Sequence, residues 1–262
     1  METDRNVERA SRLDTATLSD ALDKLGIAGQ CHRIQPRGGM FRMAGRASTL
    51  LYGPAANPPG TVGDYIDDVP PGSVVVLDNG GRENCTVWGD ILTEIAHRRG
   101  LAGTVIDGVC RDVALCLQIG YPVFSRGHWM RTGKDRVQVE ATNVPVNIGD
   151  ARVQPGDIVR GDADGVVVLP HQHEEQVLDT AEQIEHAENA IREAVRAGMR
   201  LDEARKQFRY HQLQTRSPHA PSVAAPRGGS RSGPAEPDPR EGSMGGRPAA
   251  TPGSGARLEE SK

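Results

Sequence analysis

Two pairs of residues in this sequence carry side chains that could do chemistry together. Gly89-Asp90 and Arg111-Asp112 are separated by twenty residues. The carboxylate of Asp112 is a hard oxygen ligand of the kind that magnesium and manganese prefer. The guanidinium of Arg111 is a planar fork of donors that matches a carboxylate or an enolate oxygen. These residue types suit a site that holds an oxygen-rich anion beside a divalent metal.

The residues between the two pairs predict one helix and one strand, an arrangement that would return the chain to one pocket. Apolar side chains recur at helical spacing in residues 91–96, and Gly100 suits a helix end because glycine readily adopts the left-handed cap conformation. Residues 101–106 (LAGTVI) predict a short buried strand, and Asp107-Gly108 is expected to turn the chain.

The start of this helix would add backbone donors to the site. Gly89 has no side chain, so a ligand can approach its backbone closely. The amides of Asp90, Ile91 and Leu92 would begin the helix, where N–H groups lack intrahelical partners and favour an anion. The Asp90 carboxylate could also hold a water that transfers a proton. From residue types alone, an ordinary helix cap and a surface ion pair remain open as the alternative.

Elsewhere the hydrophobic pattern predicts an α/β protein with many short strands. Residues 13–25 and about 174–197 predict amphipathic helices, and residues 73–77 predict a strand buried on both faces. A polar, glycine-rich loop is predicted over residues 78–84, where α/β proteins often place functional groups.

Composition divides the chain into three parts. Residues 1–11 are charged and predict a flexible N-terminus, and residues 12–213 predict one domain. Residues 217–262 are rich in proline, glycine, serine, alanine and arginine, with almost no large apolar side chains. Such a segment cannot bury enough surface to offset its ordering entropy, so a disordered tail is predicted there.

The spacing of the two pairs resembles the signature of the RraA-like family. That family includes the class II 4-hydroxy-4-methyl-2-oxoglutarate / 4-carboxy-4-hydroxy-2-oxoadipate aldolases and the regulator of ribonuclease E activity. Other segments resemble the same family, so that the similarity extends over about residues 10–210. These segments are residues 17–26, 45–49, 71–78, 120–124 and 162–170.

The resemblance implies both a fold and an activity. The fold would be a swivelling β/β/α sandwich like that of phosphohistidine domains, assembled as a homotrimer or hexamer with sites at subunit boundaries. The activity would be cleavage of a 4-hydroxy-2-oxo diacid to pyruvate through a metal-stabilised enolate. Oxaloacetate decarboxylation passes through the same enolate and is the expected side activity.

The resemblance also implies roles for individual residues. Asp112 would bind Mg²⁺ or Mn²⁺ directly, Asp90 and Arg111 would be catalytic, and substrate would contact Gly89, Asp90, Ile91, Leu92 and Arg111.

A glutamate late in the chain is expected to reach a neighbouring subunit's metal through water. Glu188 matches this role best, and Glu185 is the runner-up, whereas helical periodicity alone favours an ordinary solvated glutamate at either position. The far end of the substrate would be bound from loops, for which Arg82, His128 and Arg131 are candidates.

Two other kinds of enzyme fit the sequence less well. A Schiff-base aldolase needs a desolvated lysine, but the four lysines do not lie in buried apolar strands (Lys24, Lys134, Lys206 and Lys262). Residues 74–81 (VVVLDNGG) resemble the glycine-rich opening of a methyltransferase, but the further glycines that such a cofactor loop needs are missing.

A non-catalytic regulator that binds a ribonuclease is the alternative from another class. The presence of Asp90, Arg111 and Asp112 favours the enzyme. His171-x-His173 resembles a metal pair, but its place beside two glutamates at a helix start favours a solvated helix end. Cys110 lies next to Arg111, which could lower the pKa of its thiol, but the base partner that a nucleophilic cysteine needs is not assigned.

Charge and cysteine content restrict the kinds of partner and the cellular compartment that we expect. The net charge is -4 and the pI is about 6.1, so there is no electrostatic signature of nucleic-acid binding. Four scattered cysteines without a CxxC motif suit a reduced cytoplasmic protein. The sequence has no apolar run of membrane-spanning length and no signal-peptide core at its N-terminus.

Overall fold

Four parallel strands form the centre of the sheet in the computed structural model, which describes residues 4–210. Residues 74–79 and every residue of the strand Gly103–Cys110 are buried, so the middle of the sheet is covered on both faces. Along the chain the strands are β1 (Gln35–Pro36), β2 (Met43–Pro54), β3 (Val74–Thr86), β4 (Gly103–Cys110), β5 (Val123–His128), β6 (Val137–Thr142), β7 (Val146–Ile148), β8 (Ala151–Val153), β9 (Ile158–Asp162) and β10 (Gly165–Leu169).

Six α-helices accompany these strands within residues 4–210. They are α1 (Arg5–Arg12), α2 (Thr15–Leu25), α3 (Asp90–Arg98), α4 (Val113–Ile119), α5 (Glu174–Arg196) and α6 (Leu201–Gln207). Short 3-10 turns lie at Asp64–Asp68 and His171–His173.

The order of strands in the main sheet is β1-β5-β4-β3-β2-β9-β10, with β6 also paired to β2. Strands β2, β3, β4 and β5 are mutually parallel, whereas β1, β6, β9 and β10 join antiparallel. Strands β7 and β8 form a separate hairpin. Because α3 links β3 to β4 and α4 links β4 to β5, both helices start at the same edge of the parallel sheet. The predicted mixed α/β class is confirmed.

Two hydrophobic clusters hold the domain together. The larger one contains the parallel strands and the residues that α3 and α4 place against them. The second packs α1, α2 and α5 against β9 and β10, with Leu18, Leu22 and Ile184 fully buried. The end of the parallel sheet from which α3 and α4 start therefore belongs to the first cluster, whereas α5 belongs to the second.

The structure corrects three local predictions. Residues 4–11 are not a flexible end: α1 is capped by Asp4, buries Ala10 and is tied to α5 by Arg9, which binds Asp179 and Glu182. The predicted loop at 78–84 lies inside β3, whose pairing to β4 is interrupted by bulges. Local composition did not reveal these tertiary contacts.

The expected turn at Asp107-Gly108 is also wrong, because β4 continues to Cys110. Asp107 is buried, and its carboxylate accepts hydrogen bonds from Arg126 and from the backbone of Gly149. These partners allow the strand to carry a carboxylate that by itself favours a turn. Neighbouring Asp78 is held in the same way by the backbone of Asn147.

The predicted tail at 217–262 lies outside the described residues. Among residues 4–210, the helices are too short or too polar to cross a membrane.

Candidate active site

The two residue pairs meet at the edge of the sheet where β3 and β4 end. The backbone N–H of Arg111 donates to the carbonyl of Trp88 over 3.0 Å, which ties the two chain segments together. The backbone N–H of Asp90 donates to Asp112 Oδ2 over 3.1 Å. The guanidinium Nε of Arg111 lies 3.1 Å from the same Oδ2 atom. One carboxylate oxygen therefore joins both pairs.

Gly89 is required by how closely these groups approach. A Cβ atom at this position would lie 2.8 Å from Asp112 Oδ2 and 3.0 Å from Arg111 Nε. The backbone of Gly89 is extended, with φ −150°, so glycine is needed here for space and not for an unusual torsion angle.

Asp112 has a strained backbone. Its φ of 56° and ψ of 39° lie in the left-handed region, which costs a non-glycine residue of order 1–2 kcal/mol. This conformation lets the chain pass from β4 to α4 through only two residues, Arg111 and Asp112, while the Asp112 carboxylate turns back toward α3. Strain of this kind concentrates at functional sites, where surrounding contacts maintain it.

Buried aromatic residues support the start of α3. Trp88 is 1% exposed and stacks on Tyr121, with ring centroids 6.2 Å apart and planes inclined by 10°. The indole N–H of Trp88 donates to Thr93 Oγ1 over 2.9 Å. Trp88, Thr93 and Tyr121 were not predicted as site residues, since buried aromatic residues and a helix threonine are equally common in ordinary cores.

Two adjoining cavities open beside the meeting point. One has a volume of about 350 Å³ and is lined by Gly89, Asp90, Ile91, Leu92 and Arg111, together with the 3-10 turn after residue 62. The other, of about 440 Å³, is lined by Arg111, Asp112, Val113, His128, Trp129 and Met130. Arg111 is the residue that these two linings have in common.

A larger cavity of about 540 Å³ lies between α2 and the β9–β10 turn. Its lining contains none of the predicted site residues. We assign the functional site to the two smaller cavities because an arginine, two carboxylates and a helix start converge there.

The backbone donors at the start of α3 differ from the expectation. Three free amides were predicted, but the N–H of Asp90 is taken by Asp112 and that of Ile91 by the Asp90 carboxylate over 2.9 Å. Within residues 4–210, only the Leu92 amide of these three donates no hydrogen bond. The two carboxylates thus occupy part of the positive helix end that an anionic ligand would also use.

The donor set fits a divalent cation of the magnesium type. Asp112 Oδ2 accepts two polar contacts, whereas Oδ1 accepts none from residues 4–210, and the side chain is 38% exposed. The described residues contain no cluster of three or more histidine, cysteine or acidic side chains that could cage a metal. Magnesium commonly binds through one or two carboxylates, with water and substrate supplying the other oxygens.

Glu188 does not join this site within one chain. It lies on α5, where its carboxylate binds Arg192 over 2.7 Å, and α5 packs on α1 and α2. Glu185 lies on the same helix. The predicted role of a glutamate at a neighbouring subunit's metal stays a prediction.

The structure distinguishes between the three residues that were predicted to bind the far end of the substrate. His128 lines the cavity beside Asp112. Arg82 is directed elsewhere, because its guanidinium donates to the carbonyl of Asn79 over 2.8 Å. Arg131 is exposed and lines neither cavity.

The cysteine beside the site is not an activated nucleophile. Cys110 is fully buried, and burial raises the pKa of its thiol to about 11 despite its hydrogen-bond contact with Ser125. The prediction that Arg111 lowers this pKa is therefore wrong, because the side chain of Arg111 points to the cavities and that of Cys110 into the core. His171 is likewise part of a structural contact, with its ring 3.1 Å from Glu174.

Comparison with known proteins identifies the family. The family model described as RraA-like, Aldolase/RraA, matches residues 15–168, which include both pairs of site residues. The chain belongs to the RraA-like family.

Two curated relatives extend this RraA-like match. Protein DlpA of Legionella pneumophila is 38% identical over 203 residues, which are 76% of this chain and 33% of DlpA. The chain thus spans about a third of the length of that relative. A Halalkalibacterium halodurans protein named "Putative 4-hydroxy-4-methyl-2-oxoglutarate aldolase" is 32% identical over 70% of this chain and 85% of its own length.

Two solved structures share the fold of this RraA-like chain. An uncharacterized protein from Pseudomonas syringae pv. tomato is 44% identical, with a TM-score of 0.72 over 76% of this chain and 96% of that chain. Streptomyces coelicolor RraAS2, described as an unusual member of the RNase ES inhibitor RraA protein family, is 28% identical. Its TM-score is 0.65 over 72% of this chain and 97% of that chain.

Proposed function

We propose that the protein is a divalent-metal-dependent aldolase that cleaves a 4-hydroxy-2-oxo diacid, such as 4-hydroxy-4-methyl-2-oxoglutarate, to pyruvate. The observation that carries this proposal is the meeting of Arg111, Asp112 and the start of α3 beside open cavities. Relatives named for this aldolase activity support it.

Arg111 and the start of α3 bind one end of the substrate in this reaction. Arg111 and Leu92 line the same cavity, and the guanidinium of the first and the amide of the second are donors suited to the 2-oxo acid group. A divalent cation held by Asp112, magnesium or manganese, would supply Lewis-acid stabilisation of negative charge on the substrate's oxygens.

The Asp90 carboxylate orients a water that accepts the proton of the C4 hydroxyl. As the C4 carbonyl forms, the C3–C4 bond breaks and its electron pair moves into the enolate of pyruvate. The guanidinium of Arg111 stabilises the developing charge on the enolate oxygen. A proton then adds to C3, so that 4-hydroxy-4-methyl-2-oxoglutarate yields two molecules of pyruvate.

Oxaloacetate decarboxylation is the expected side activity. Loss of CO₂ from oxaloacetate leaves the same enolate, so the same groups would stabilise it. No group beyond those already assigned is needed for this second reaction.

We further propose a homotrimer or hexamer of swivelling β/β/α domains, with each site at a subunit boundary. Large apolar side chains around the cavities support a contact there: Ile91 is 70% exposed, Trp129 46% and Met130 69%. Such an assembly would allow Glu188 of one subunit to approach the metal of the next.

Pyruvate release from the two substrates tests the proposal. It would be measured with Mg²⁺ or Mn²⁺ and with chelator, for the unaltered protein, for Asp112→Ala and for Asp150→Ala. Asp150 is an exposed carboxylate in the β7–β8 turn and serves as the matched control. We expect metal-dependent release that disappears in Asp112→Ala and persists in Asp150→Ala.

A second candidate function is binding to a ribonuclease, which the likeness to RraAS2 favours. If the folded, metal-loaded protein releases no pyruvate from either compound, the aldolase proposal is wrong. Inhibition of RNA cleavage by a purified ribonuclease would then be the measurement that supports the regulator.

A further inference from the structure

Thr93 is a buried polar residue next to the proposed site. It lies in the first turn of α3 and is 0% exposed. Its hydroxyl lies 2.9 Å from the indole nitrogen of Trp88, 2.8 Å from the carbonyl oxygen of Gly89 and 3.5 Å from Cys116 Sγ.

The chemistry of these partners fixes the direction of each hydrogen bond. The Trp88 indole N–H can only donate, and the Gly89 carbonyl can only accept. The Thr93 hydroxyl therefore accepts from Trp88 and donates its one hydrogen to Gly89. The indole itself is held by its stacking on Tyr121, whose hydroxyl lies 2.9 Å from Thr104 Oγ1.

The Gly89 carbonyl oxygen is consequently held by one residue through two bonds. It accepts the backbone N–H of Thr93 over 3.0 Å and the hydroxyl of Thr93 over 2.8 Å. In a planar trans peptide the C=O and N–H bonds point in opposite directions. Because the Gly89 carbonyl points toward Thr93, the Asp90 N–H points the opposite way, toward Asp112 Oδ2 at 3.1 Å.

We propose that Thr93 is a positioning residue that orients the Gly89–Asp90 peptide and, through its N–H, the carboxylate of Asp112. As far as catalysis is concerned, this inference rests on the proposed aldolase function. The orientation of the peptide itself does not depend on that function. Thr93 contacts neither substrate nor metal in this scheme, and it acts through Gly89.

Two substitutions at position 93 distinguish this positioning role from a role in packing alone. Valine has the same shape as threonine, so it fills the same core volume but cannot hold the Gly89 carbonyl through a side chain. Serine keeps the hydroxyl and loses one methyl group. Thr180 on α5 provides a matched control, since its hydroxyl also donates to the carbonyl four residues earlier, Gln176, over 2.7 Å, but at a partly exposed position.

The experiment compares Thr93→Val, Thr93→Ser and Thr180→Val with the unaltered full-length chain. The rate of hydrogen exchange at the Asp90 amide is measured in the absence of metal. The affinity for Mn²⁺ is measured by titration, and kcat and KM are measured from pyruvate release. For Thr93→Val we expect Asp90 exchange at least tenfold faster, weaker Mn²⁺ binding, and a tenfold or larger loss in kcat/KM. Thr93→Ser is expected to restore most of each value, and Thr180→Val to change none.

Two outcomes separate this inference from the proposed function. If the Asp90 amide exchanges at the same rate in Thr93→Val as in the unaltered protein, and both bind Mn²⁺ equally well, Thr93 does not position the peptide, whatever the activity. If the unaltered protein releases no pyruvate while Thr93→Val still accelerates exchange at Asp90, the positioning role stands and the aldolase function fails. Equal losses in Thr93→Val and Thr93→Ser would assign the effect to packing and overturn the role of the hydroxyl.

Discussion

Replacing Gly89 with alanine should damage the site while leaving the fold intact. The added Cβ would lie 2.8 Å from Asp112 Oδ2, roughly 0.6 Å inside an ordinary van der Waals contact. It would also lie 3.0 Å from Arg111 Nε. Both atoms belong to partly exposed side chains that can move, so the carboxylate and the guanidinium should give way before the backbone does.

This displacement sets the size of the expected effect. A shift of about 0.6 Å stretches the 3.1 Å bond from Asp90 to Asp112 and misaligns the proposed metal ligand. Misplacement by about 1 Å can cost a hundredfold in rate, so we expect kcat/KM to fall roughly 10- to 100-fold, equivalent to about 1.4–2.7 kcal/mol. The backbone torsions of Gly89 suit alanine, so the free energy of unfolding should change by less than about 1 kcal/mol.

The assay combines pyruvate release with denaturant unfolding of the same preparation. Gly39→Ala is the matched control, since a Cβ there meets no atom within 4 Å of the described structure. Unaltered kcat/KM in Gly89→Ala would refute the reasoning about close approach. A loss of several kcal/mol in stability would equally refute it, because the damage would then lie in the fold.

Three further predictions concern stability and reactivity. Arg160 is buried and donates to the carbonyls of Leu13 and Met43, so Arg160→Leu should cost about 3–5 kcal/mol in a denaturant titration; a loss below about 1 kcal/mol would contradict this. Burial works to raise the pKa of Glu174, but hydrogen bonds led by that of Arg46 outweigh it and lower the pKa below 4.5. Glu174 therefore stabilises the fold above its unfolded pKa of about 4.3, and this stabilisation is lost as the pH falls through the folded pKa. Between about pH 6 and pH 3, the free energy of unfolding should therefore fall less in Glu174→Gln than in the unaltered protein. All four cysteines are buried, so a thiol reagent should label them only after denaturation, and rapid labelling of the native protein would show that the core is open.

Local patterns in the sequence determined much of the element order. The apolar spacing around α2, α3 and α5 predicted helices because an amphipathic helix needs one buried face. The β-branched run at the start of β3 predicted a doubly buried strand for the same kind of reason. These features depend on residues close together in the chain, so one sequence is enough to find them.

Interactions between distant segments were not predictable in this way. Residues 5–12 form α1 because Arg9 binds two acids on α5, about 170 positions later in the chain. Asp107 continues β4 because Arg126 and the β7–β8 hairpin satisfy its carboxylate. Each of these segments would favour a flexible or turning conformation without its partner.

The same division applies to the candidate site. Residue types and spacing were sufficient to select Gly89, Asp90, Arg111 and Asp112, because a metal ligand, a cationic donor and a close backbone approach each require particular side chains. The sequence did not show that Asp112 and Asp90 occupy two of the three backbone donors, nor that Thr93 holds the Gly89 carbonyl.

Those features were decided only by the tertiary structure. Hydrogen bonds have short range and strict direction, so whether an amide is free depends on distances of a few tenths of an ångström between segments that are remote in sequence. The sequence determines the chemistry of each side chain. The groups that orient these side chains are determined only when β3, β4, α3 and α4 pack together at one end of the sheet.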